Sequence, residues 1–409
     1  MTNKQAWRVV AALFVLLTIS SGFGFYNLSV YLNALSQQNG FAVEHLSFAI
    51  TLFFVVSGLF GVVIARLLER VDVRWVLTGG TLVCGVAMAL VGRAESTTQL
   101  LVIYALFGAG YAGVSLIPAT TLVARWFPGA NRSVALATAS TGLSLGGVLI
   151  TPLAAYLLET RGLSRALPEF GLAFAVCLLP IVWLWVREPS TQAASAAADP
   201  ASEQPEGWPE RQAMQSRFYR AITIVFLLLL GSQVGGIAHL YNHAELLTDR
   251  VTASTAVQIL GLASITGRLA GGWLLRYVST RGWLVGCALG QAVGLVVLAL
   301  AAGQWQLWLG ALFFGLTVGN ILMLLPLVLV EGFGLRAYAR LYATANAVST
   351  IGVGGGPALL GLLFASSGYA VAFCAAAACT TLATIGVLIA GPVPDPQRLG
   401  SESLRQPEV

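Results

Sequence analysis

Long apolar runs alternate along the chain with short breaks that contain charged residues, glycine or proline. Each run is continuous and about 20 residues long or longer, which is enough for a helix to cross the hydrocarbon core of a bilayer. Membrane-spanning strands would instead need segments of about ten residues with alternating apolar and polar positions. The pattern predicts an all-α membrane protein with twelve transmembrane helices, near residues 8–34, 45–68, 75–93, 99–124, 133–158, 168–186, 218–247, 254–275, 282–302, 307–331, 341–366 and 369–391.

The first six runs and the last six are similar in sequence. Residues 47–79 align with residues 254–286 at a shift of 207, and a shift of 208 aligns the segment that follows. Because Ala and Leu match by chance in apolar sequence, the informative matches are Arg74 with Arg281, Pro118 with Pro326, Arg132 with Arg340, and Gly146-Gly147 with Gly354-Gly355. Two parallel repeats around a central substrate site are the plan of rocking-type transporters. We therefore predict two pseudo-symmetric six-helix bundles.

A segment without apolar periodicity separates the two sets of helices. Residues 188–215 are rich in Ala, Ser, Pro and Glu, a composition typical of flexible linkers. The predicted organisation is an N-terminal six-helix bundle over residues 1–187, a cytoplasmic linker over 188–216, a C-terminal six-helix bundle over 217–392 and a cytoplasmic tail over 393–409.

Composition and charge narrow the class further. Hydrophobic residues make up 57% of the 409 residues, charged residues make up 10%, and the mean hydropathy is +0.81. The net charge is +5, but the bases lie singly in short loops, so we expect no nucleic-acid binding. Most of them lie in loops on the same side as both termini, which predicts cytoplasmic termini by the positive-inside rule. We expect a multi-pass protein of the cell inner membrane that acts as a monomer.

The sequence indicates neither a cofactor nor an enzyme. The five cysteines lie in apolar segments without a CxxC pair, and none of them has a His at metal-ligand spacing. Glycine strings such as Gly352-Val-Gly354 follow no strand and precede no Lys, unlike nucleotide-binding loops. No HExxH motif is present. Transport would therefore be driven by ion or substrate gradients.

The loop between helices 2 and 3 carries a recognisable motif. Residues 65–74 read ARLLERVDVR. This loop resembles the signature loop of the major facilitator superfamily, G-x-L-x-D-R-x-G-x-R, with Ala65, Glu69 and Asp72 in place of Gly, Asp and Gly. The resemblance implies the major facilitator fold and a charge relay at the cytoplasmic gate made by Glu69, Arg70 and Arg74. A solvated, positively charged loop is the alternative reading.

Two further patches are similar to the monocarboxylate transporter family and its bacterial oxalate/formate relatives. One comprises Pro118, the run from Arg125 to Pro128, and Arg132, and the other is the helix 8 run from Ser264 to Gly272, SITGRLAGG. In that family an Arg of helix 8 binds the substrate carboxylate, which implies this role for Arg268. The chain departs from the family where Ser264 replaces an acid, and helix 1 lacks the Lys of animal members.

Arg268 also stands out without any resemblance. A charged group deep in a bilayer costs about 2.5–3.5 kcal/mol on insertion scales, so it should face a wet cavity or a partner. Asp and Glu are confined to loops and helix ends, where Glu245 and Glu331 are the nearest candidates. An unpaired guanidinium favours a bound carboxylate, which it can hold through two hydrogen bonds. A gate ion pair and a structural bond to helix carbonyls are the alternatives.

Helix 7 has an unusual polar stripe. His239 and His243 are one turn apart on a single face. Because His titrates near neutral pH, either could take up a proton in a proton-coupled symport. A hydrogen-bonded structural His is the commoner role.

Polar residues in helices 1, 4 and 10 could line the same pocket as Arg268. In lipid such groups prefer a cavity or an interhelical hydrogen bond, so packing is the alternative for each of them. The candidates for substrate contact are Tyr26, Asn27, Tyr31, Tyr111, Ser115 and Asn320.

These observations predict a secondary active transporter that moves a small organic anion, with a monocarboxylate as the first candidate. The mechanism would be alternating access, either with proton symport or with exchange for a counter-anion. An exporter of drugs or amphipathic metabolites is the alternative. The lack of a buried acid argues against cationic drugs, which need an anionic group inside the membrane.

Overall fold

The computed structural model describes residues 3–68, 70–127, 131–188, 207–334 and 336–394. Nearly all of them are helical, and the prediction of twelve helices in two six-helix bundles is confirmed. In the first half, α1 is Asn3–Ser21 continued by Gly22–Tyr26 and Asn27–Asn39, α2 is Val43–Leu68 and α3 is Val73–Val91. The next three are α4, which is Thr97–Ala112 continued by Leu116–Trp126, α5, which is Asn131–Arg161, and α6, which is Leu163–Trp185. In the second half, the helices α7 to α10 are Arg217–Leu247, Arg250–Leu274, Thr280–Ala299 and Gln304–Phe333, and α11 and α12 share the helix Tyr338–Ala390.

The break between α11 and α12 is a single residue. Gly368 has a φ of 81° and a ψ of 174°, a conformation that a residue with a Cβ rarely adopts. The chain therefore turns back at this glycine without a loop of its own. We label residues 338–367 as α11 and residues 369–390 as α12.

Ten stretches of the described residues are long and apolar enough to cross a membrane, and one of them, Arg340–Ala390, contains both α11 and α12. The ten stretches therefore account for eleven of the helices. The remaining one, α8, is 25 residues long but is not among them. Its sequence contains many Thr, Ser, Gly and Gln residues in addition to two Arg. A polar spanning helix is expected where a helix faces other helices or a cavity instead of lipid.

A π-helical turn interrupts α1 at Gly22–Tyr26, beside a very close contact with α5. The Ser21 hydroxyl donates to the Leu143 carbonyl at 2.7 Å. A Cβ built on Gly146 would lie 2.5 Å from the Gly22 nitrogen, so only glycine allows this approach. Such π-turns occur often at functional sites, and this one sets the direction of Tyr26.

The two halves contact each other through three helix pairs, α5 with α8, α2 with α11, and α1 with α7. We call the end of the bundle that contains Lys4, Trp185 and Arg217 the terminal end, and the opposite end, with Asn39 and Leu247, the far end. The α5–α8 and α2–α11 pairs occupy equivalent places in the two repeats. The first of these pairs places α8, the helix that carries Arg268, against the first half.

The segment predicted as a linker is attached to both halves at its edges. Glu188 accepts a hydrogen bond from Arg125 at 2.7 Å and another from the Val73 backbone N–H at 3.1 Å. On the other side a short helix, Glu210–Gln215, places Glu210 in an ion pair with Arg340. Residues 189–206 of the predicted linker and 395–409 of the predicted tail lie outside the described residues.

Arg125 holds three parts of the first half together at the terminal end. Besides Glu188, it donates to the Leu68 carbonyl at the end of α2, at 2.5 Å. Replacing Arg125 with alanine leaves both acceptors without this donor, so we expect a loss of about 1–3 kcal/mol of stability. Thermal unfolding in detergent measures the effect, with Arg93→Ala, an exposed arginine at the far end, as the control. A midpoint equal to that of the wild type would contradict this role.

Candidate functional site

Arg268 lies at the contact between the two halves. It is the nineteenth of the 25 residues of α8 and is therefore nearer the terminal end than the sequence-based placement at mid-helix. Helical side chains point towards the N-terminus of their helix, which for α8 directs Arg268 back towards the middle of the bundle. Only 9% of the residue is exposed. One terminal nitrogen donates to the Ser140 carbonyl of α5 at 2.9 Å and lies 3.3 Å from the Ser140 hydroxyl.

The guanidinium of Arg268 has no acidic partner among the described residues. None of the ion pairs found there involves it, and its Nε is buried without a hydrogen-bond acceptor. A buried charge is expensive unless it is paired, so the site combines positive charge with unused donor capacity.

Serine hydroxyls continue this contact across the halves. The hydroxyls of Ser264 on α8 and Ser144 on α5 lie 3.0 Å apart, and the Tyr26 ring packs against Gly147 of the same α5 helix. At the repeat shift of 207, the position equivalent to Arg268 in the first half is Gly61. The arginine is therefore an asymmetric feature of an otherwise symmetric arrangement.

Asn320 and its neighbour complete the wall beside Arg268. A Cβ on Gly319 would lie 3.1 Å from the Arg268 Nε, so a glycine here leaves room for the guanidinium. Asn320 donates to the Leu316 carbonyl at 3.0 Å, and its side-chain oxygen accepts from the Trp283 indole at 3.4 Å. Its amide thus lies close to the site but is engaged within the second half.

Tyr111 and Ser115 shape the first half. Tyr111 is buried and packs against Phe53, with ring centroids 5.0 Å apart, and against Gly24 of the π-helical turn. Ser115 begins the second segment of α4, where its hydroxyl donates to the Ala112 carbonyl at 2.9 Å. In this conformation both side chains therefore make packing or hydrogen-bond contacts within the first half.

Asn27 and Tyr31 lie in the interior of the first half. Both are fully buried, and Tyr31 stacks on Phe170 of α6 at 6.5 Å. The side-chain amide of Asn27 and the Tyr31 hydroxyl make no hydrogen bond to any described residue.

His239 belongs to a hydrogen-bond network that joins the halves. Its Nε2 lies 3.0 Å from the Pro357 carbonyl and 3.3 Å from the Ser47 hydroxyl of α2, and its Nδ1 lies 3.0 Å from the Tyr369 hydroxyl. Asn242 donates to the same hydroxyl at 2.6 Å and accepts from Asn33 of α1 at 2.7 Å. The network thus reaches the first half at two points.

The donors and acceptors assign the tautomer of His239. A carbonyl can only accept, so Nε2 carries the hydrogen that points to Pro357. The Tyr369 hydroxyl already accepts from Asn242, and its own hydrogen is available for Nδ1. Protonation of Nδ1 would make it a donor and leave that hydroxyl hydrogen without its acceptor. The protonation state of His239 is therefore linked to contacts between the halves.

His243 has a different environment one turn further along α7. Its Nε2 lies 2.8 Å from the Leu298 carbonyl of α9, and its ring packs against Phe373 with centroids 4.9 Å apart. All of these partners belong to the second half. Unlike His239, it makes no direct contact with the first half among these interactions.

Comparison with known proteins gives the family of the chain. Residues 14–352 match the Major Facilitator Superfamily profile. The chain belongs to this superfamily. The family match, together with the apolar helices, makes it a multi-pass membrane transporter.

The curated relatives of this superfamily are distant. The chain is 25% identical over 341 residues to the MFS transporter asaE of Aspergillus flavus, covering 80% of this chain and 72% of that protein. It is 24% identical over 358 residues to the uncharacterized MFS-type transporter YhjX of Escherichia coli K12, covering 83% of this chain and 84% of that protein. Identity at this level leaves the substrate open.

Solved structures share the fold. A bacterial homologue of the human lysosomal transporter Spinster, in an inward-facing and occupied conformation, gives a TM-score of 0.73 over 95% of this chain and 97% of that chain, at 16% identity. The same protein in an inward-facing and unoccupied conformation gives a TM-score of 0.66. Both support the superfamily fold.

The signature loop of the superfamily pairs its charges in an unexpected way. Arg74 binds Asp72 at 2.7 Å and stacks over Trp183, with its guanidinium carbon 5.4 Å from the ring centroid. The Arg74 side chain holds the pKa of Asp72 below its usual value, so this carboxylate stays charged at neutral pH. Arg70 is exposed, and Glu69 lies outside the described residues. The acid seen to pair with Arg74 is thus the one that replaces a glycine of the motif.

The far end carries an ion-pair cluster that sequence reasoning did not single out. Arg250 of α8 bonds Glu245 of α7 at 2.8 Å and contacts Glu159 of α5 at 3.4 Å. Gln37 of α1 donates to Glu245 at 3.3 Å. Glu159 and Gln37 belong to the first half, so the cluster links the halves. Loop and helix-end charges become informative only once the fold brings them together.

Proposed function

We propose that this protein is a secondary active transporter of a small organic anion, with a monocarboxylate as the first candidate. The observation that supports the proposal is the buried guanidinium of Arg268, which contacts both halves and has no acidic partner among the described residues. Substrate sites of duplicated transporters lie near the interface of the repeats. A carboxylate bound there would supply the missing negative charge and accept the unused N–H.

The sequence patches support the same substrate class. The helix 8 run from Ser264 to Gly272 is similar to the monocarboxylate transporter family, in which the arginine of this helix binds the substrate carboxylate. Here Ser264 stands in place of the family's acid and contacts Ser144 instead. A serine leaves the charge of Arg268 uncompensated, which favours an anionic substrate over a permanent internal ion pair.

Alternating access is the mechanism that we propose for this site. At the far end the halves are linked by Asn33 with Asn242 and by Arg250 with Glu159. When the halves separate, Arg250 can keep its contact with Glu245 on its own side. Opening therefore leaves only Glu159 of this cluster without its partner, and because Glu159 is exposed the pair costs only about 0–1 kcal/mol to break. The far end is held closed by contacts that can be released.

The proposed setting is the cell inner membrane, with the terminal end in the cytoplasm. The support is the excess of Lys and Arg in the loops of the terminal end. Under this orientation the far end faces outward and is closed in the present conformation. The ion relay of Arg74 and Asp72 then lies at the cytoplasmic face.

Proton coupling would act through His239. Glutamine can replace both of its interactions, with an amide N–H towards Pro357 and an oxygen that accepts from Tyr369, but it cannot take up a proton. We expect His239→Gln to retain exchange of labelled for unlabelled anion while losing stimulation by an inward proton gradient. Tyr369→Phe is the control, because it removes the hydrogen bond between Tyr369 and His239 but leaves the imidazole able to titrate. Gradient-stimulated uptake by His239→Gln would assign the proton elsewhere.

The proposal is tested in liposomes that contain the purified protein. Uptake of radiolabelled lactate, pyruvate, formate and oxalate is followed with and without a pH gradient. Saturable uptake of one of them supports the anion assignment, and its response to the gradient separates symport from exchange. If the folded protein takes up none of them, an exporter of drugs or amphipathic metabolites becomes the better assignment.

A further inference from the structure

A large cleft opens at the terminal end between the start of α1 and the end of α6. Its volume is about 900 Å³, and the residues that line it are Lys4, Gln5, Arg8, Ala11, Leu184, Trp185 and Arg187. Three of these seven residues are basic and none is acidic. The cleft lies at the end of the bundle opposite the Arg250 ion-pair cluster, and it contains none of the residues of the Arg268 site.

The bases of the cleft are available for a ligand. Lys4, Arg8 and Arg187 are exposed, and none of them forms an ion pair within the described part of the chain. The nearest acid in sequence, Glu188, is already bound by Arg125. The Trp126 indole donates to the Arg187 carbonyl at 2.7 Å, which fixes the backbone that carries this base. Three like charges are thus gathered around one space, and no acid among the described residues pairs with them.

Apolar groups line the same cleft next to the bases. Leu184 is 67% exposed and Trp185 is 53% exposed. Both lie at the last residues of a spanning helix, and Lys4 lies in the first turn of another, so the cleft is at the boundary between hydrocarbon and headgroups. Tryptophan is enriched at this level of a membrane, where its ring contacts lipid and its N–H contacts polar groups.

We propose that this cleft binds the headgroup of an anionic phospholipid. The phosphate would lie among Lys4, Arg8 and Arg187, and the acyl chains would continue along Leu184 and Trp185 into the bilayer. Basic pockets between spanning helices at a membrane surface bind lipid headgroups of this kind. The combination of three uncompensated bases with an apolar wall suits a lipid better than a free phosphate, which would have no use for that wall. The inference does not depend on the anion site at Arg268.

The test measures binding of dioleoyl phosphatidylglycerol to the full chain in detergent, with phosphatidylcholine as the uncharged comparison. The variant is the triple substitution Lys4→Gln, Arg8→Gln and Arg187→Gln. The matched control is Arg66→Gln, Arg276→Gln and Arg336→Gln, which removes the same charge from exposed positions outside the cleft. Each base near a membrane surface contributes a factor of about 5, so the first triple variant should bind phosphatidylglycerol about 100-fold more weakly. The control should bind it within about twofold of the wild type.

A second measurement separates a lipid from a soluble phosphate. Glycerol 3-phosphate carries the same charged group without acyl chains and should not displace phosphatidylglycerol at millimolar concentration. Equal binding by the cleft variant and the control, or equal binding of phosphatidylcholine and phosphatidylglycerol by the wild type, would overturn the proposal. Full displacement by glycerol 3-phosphate would overturn the lipid assignment and make the cleft a site for a soluble anion. If the triple variant does not fold, the single variant Arg187→Gln makes the same comparison and should bind phosphatidylglycerol about fivefold more weakly than the wild type.

Discussion

Arg268→Ala is expected to abolish saturable uptake of the transported anion. The substitution removes the proposed bidentate, charge-assisted contact with the carboxylate, for which about 3 kcal/mol, or roughly a 150-fold loss of affinity, is a minimum expectation. Arg268→Lys keeps the charge but loses the planar pair of donors, so it should recover only part of the transport. Initial rates of uptake into liposomes over a range of substrate concentrations measure both effects.

Protein stability distinguishes a binding role from a structural one. The alanine variant removes an uncompensated buried charge, so its thermal midpoint should be close to or above that of the wild type. The control, Arg93→Ala, removes an exposed arginine at the far end and should leave transport unchanged. If Arg268→Ala instead unfolds at a much lower temperature, and the surviving protein still transports, then Arg268 is a structural link to Ser140.

Cross-linking the far end is expected to stop transport altogether. Asn33 and Asn242 are in direct contact, at 2.7 Å, and they belong to different halves. Cysteines at these two positions, joined by a short bifunctional thiol reagent, would hold the far end closed, and uptake should fall by about tenfold or more because the halves can no longer rock. The experiment requires a background in which the five native cysteines are replaced. If the reagent can be cleaved by reduction, breaking the cross-link should restore transport.

The matched control joins two positions within one half. Arg161 and Glu169 are also in contact at the far end, but α5 and α6 both belong to the first half. Cysteines cross-linked there should leave transport intact. Unchanged uptake with a complete Asn33–Asn242 cross-link would mean that the far end does not open during transport.

The helices were predictable because lipid imposes a simple rule. With no water to satisfy backbone groups, each apolar run must form a helix long enough to cross, and the twelve runs read from the sequence are the twelve helices. The break at Gly368 lies between the predicted helices 341–366 and 369–391, but the π-helical turn at Gly22–Tyr26 was not predictable. The turn depends on how closely Gly146 of another helix approaches, which is a property of packing and not of local sequence.

The central arginine was predictable for a related reason. A charge inside an apolar run has no local explanation, so Arg268 could be singled out from sequence, although its contact with Ser140 could not. The partners of His239 show the limit more clearly. They lie on α2, α11 and α12, far apart in sequence, and only the fold brings Ser47, Pro357 and Tyr369 to one ring.

Charged loops were the least predictable part. Motif resemblance proposes Glu69 as the acid of the relay, and Glu69 lies outside the described residues; within them Asp72 pairs with Arg74. The reason is geometric, since Asp72 also caps the first turn of α3 by accepting from the Arg74 backbone N–H at 2.8 Å. Glu188, read as the first residue of a linker, is bound into the first half by Arg125.

The most direct test of the account compares a carboxylate with its neutral amide in the same liposomes. Lactate and lactamide have nearly the same shape, and only lactate carries the negative charge that Arg268 is proposed to bind. We predict saturable, trans-stimulated uptake of the carboxylate that no excess of the amide inhibits, and loss of this uptake in Arg268→Ala. Equal competition by the amide, or carboxylate uptake that is the same in Arg268→Ala and the wild type, would contradict the account.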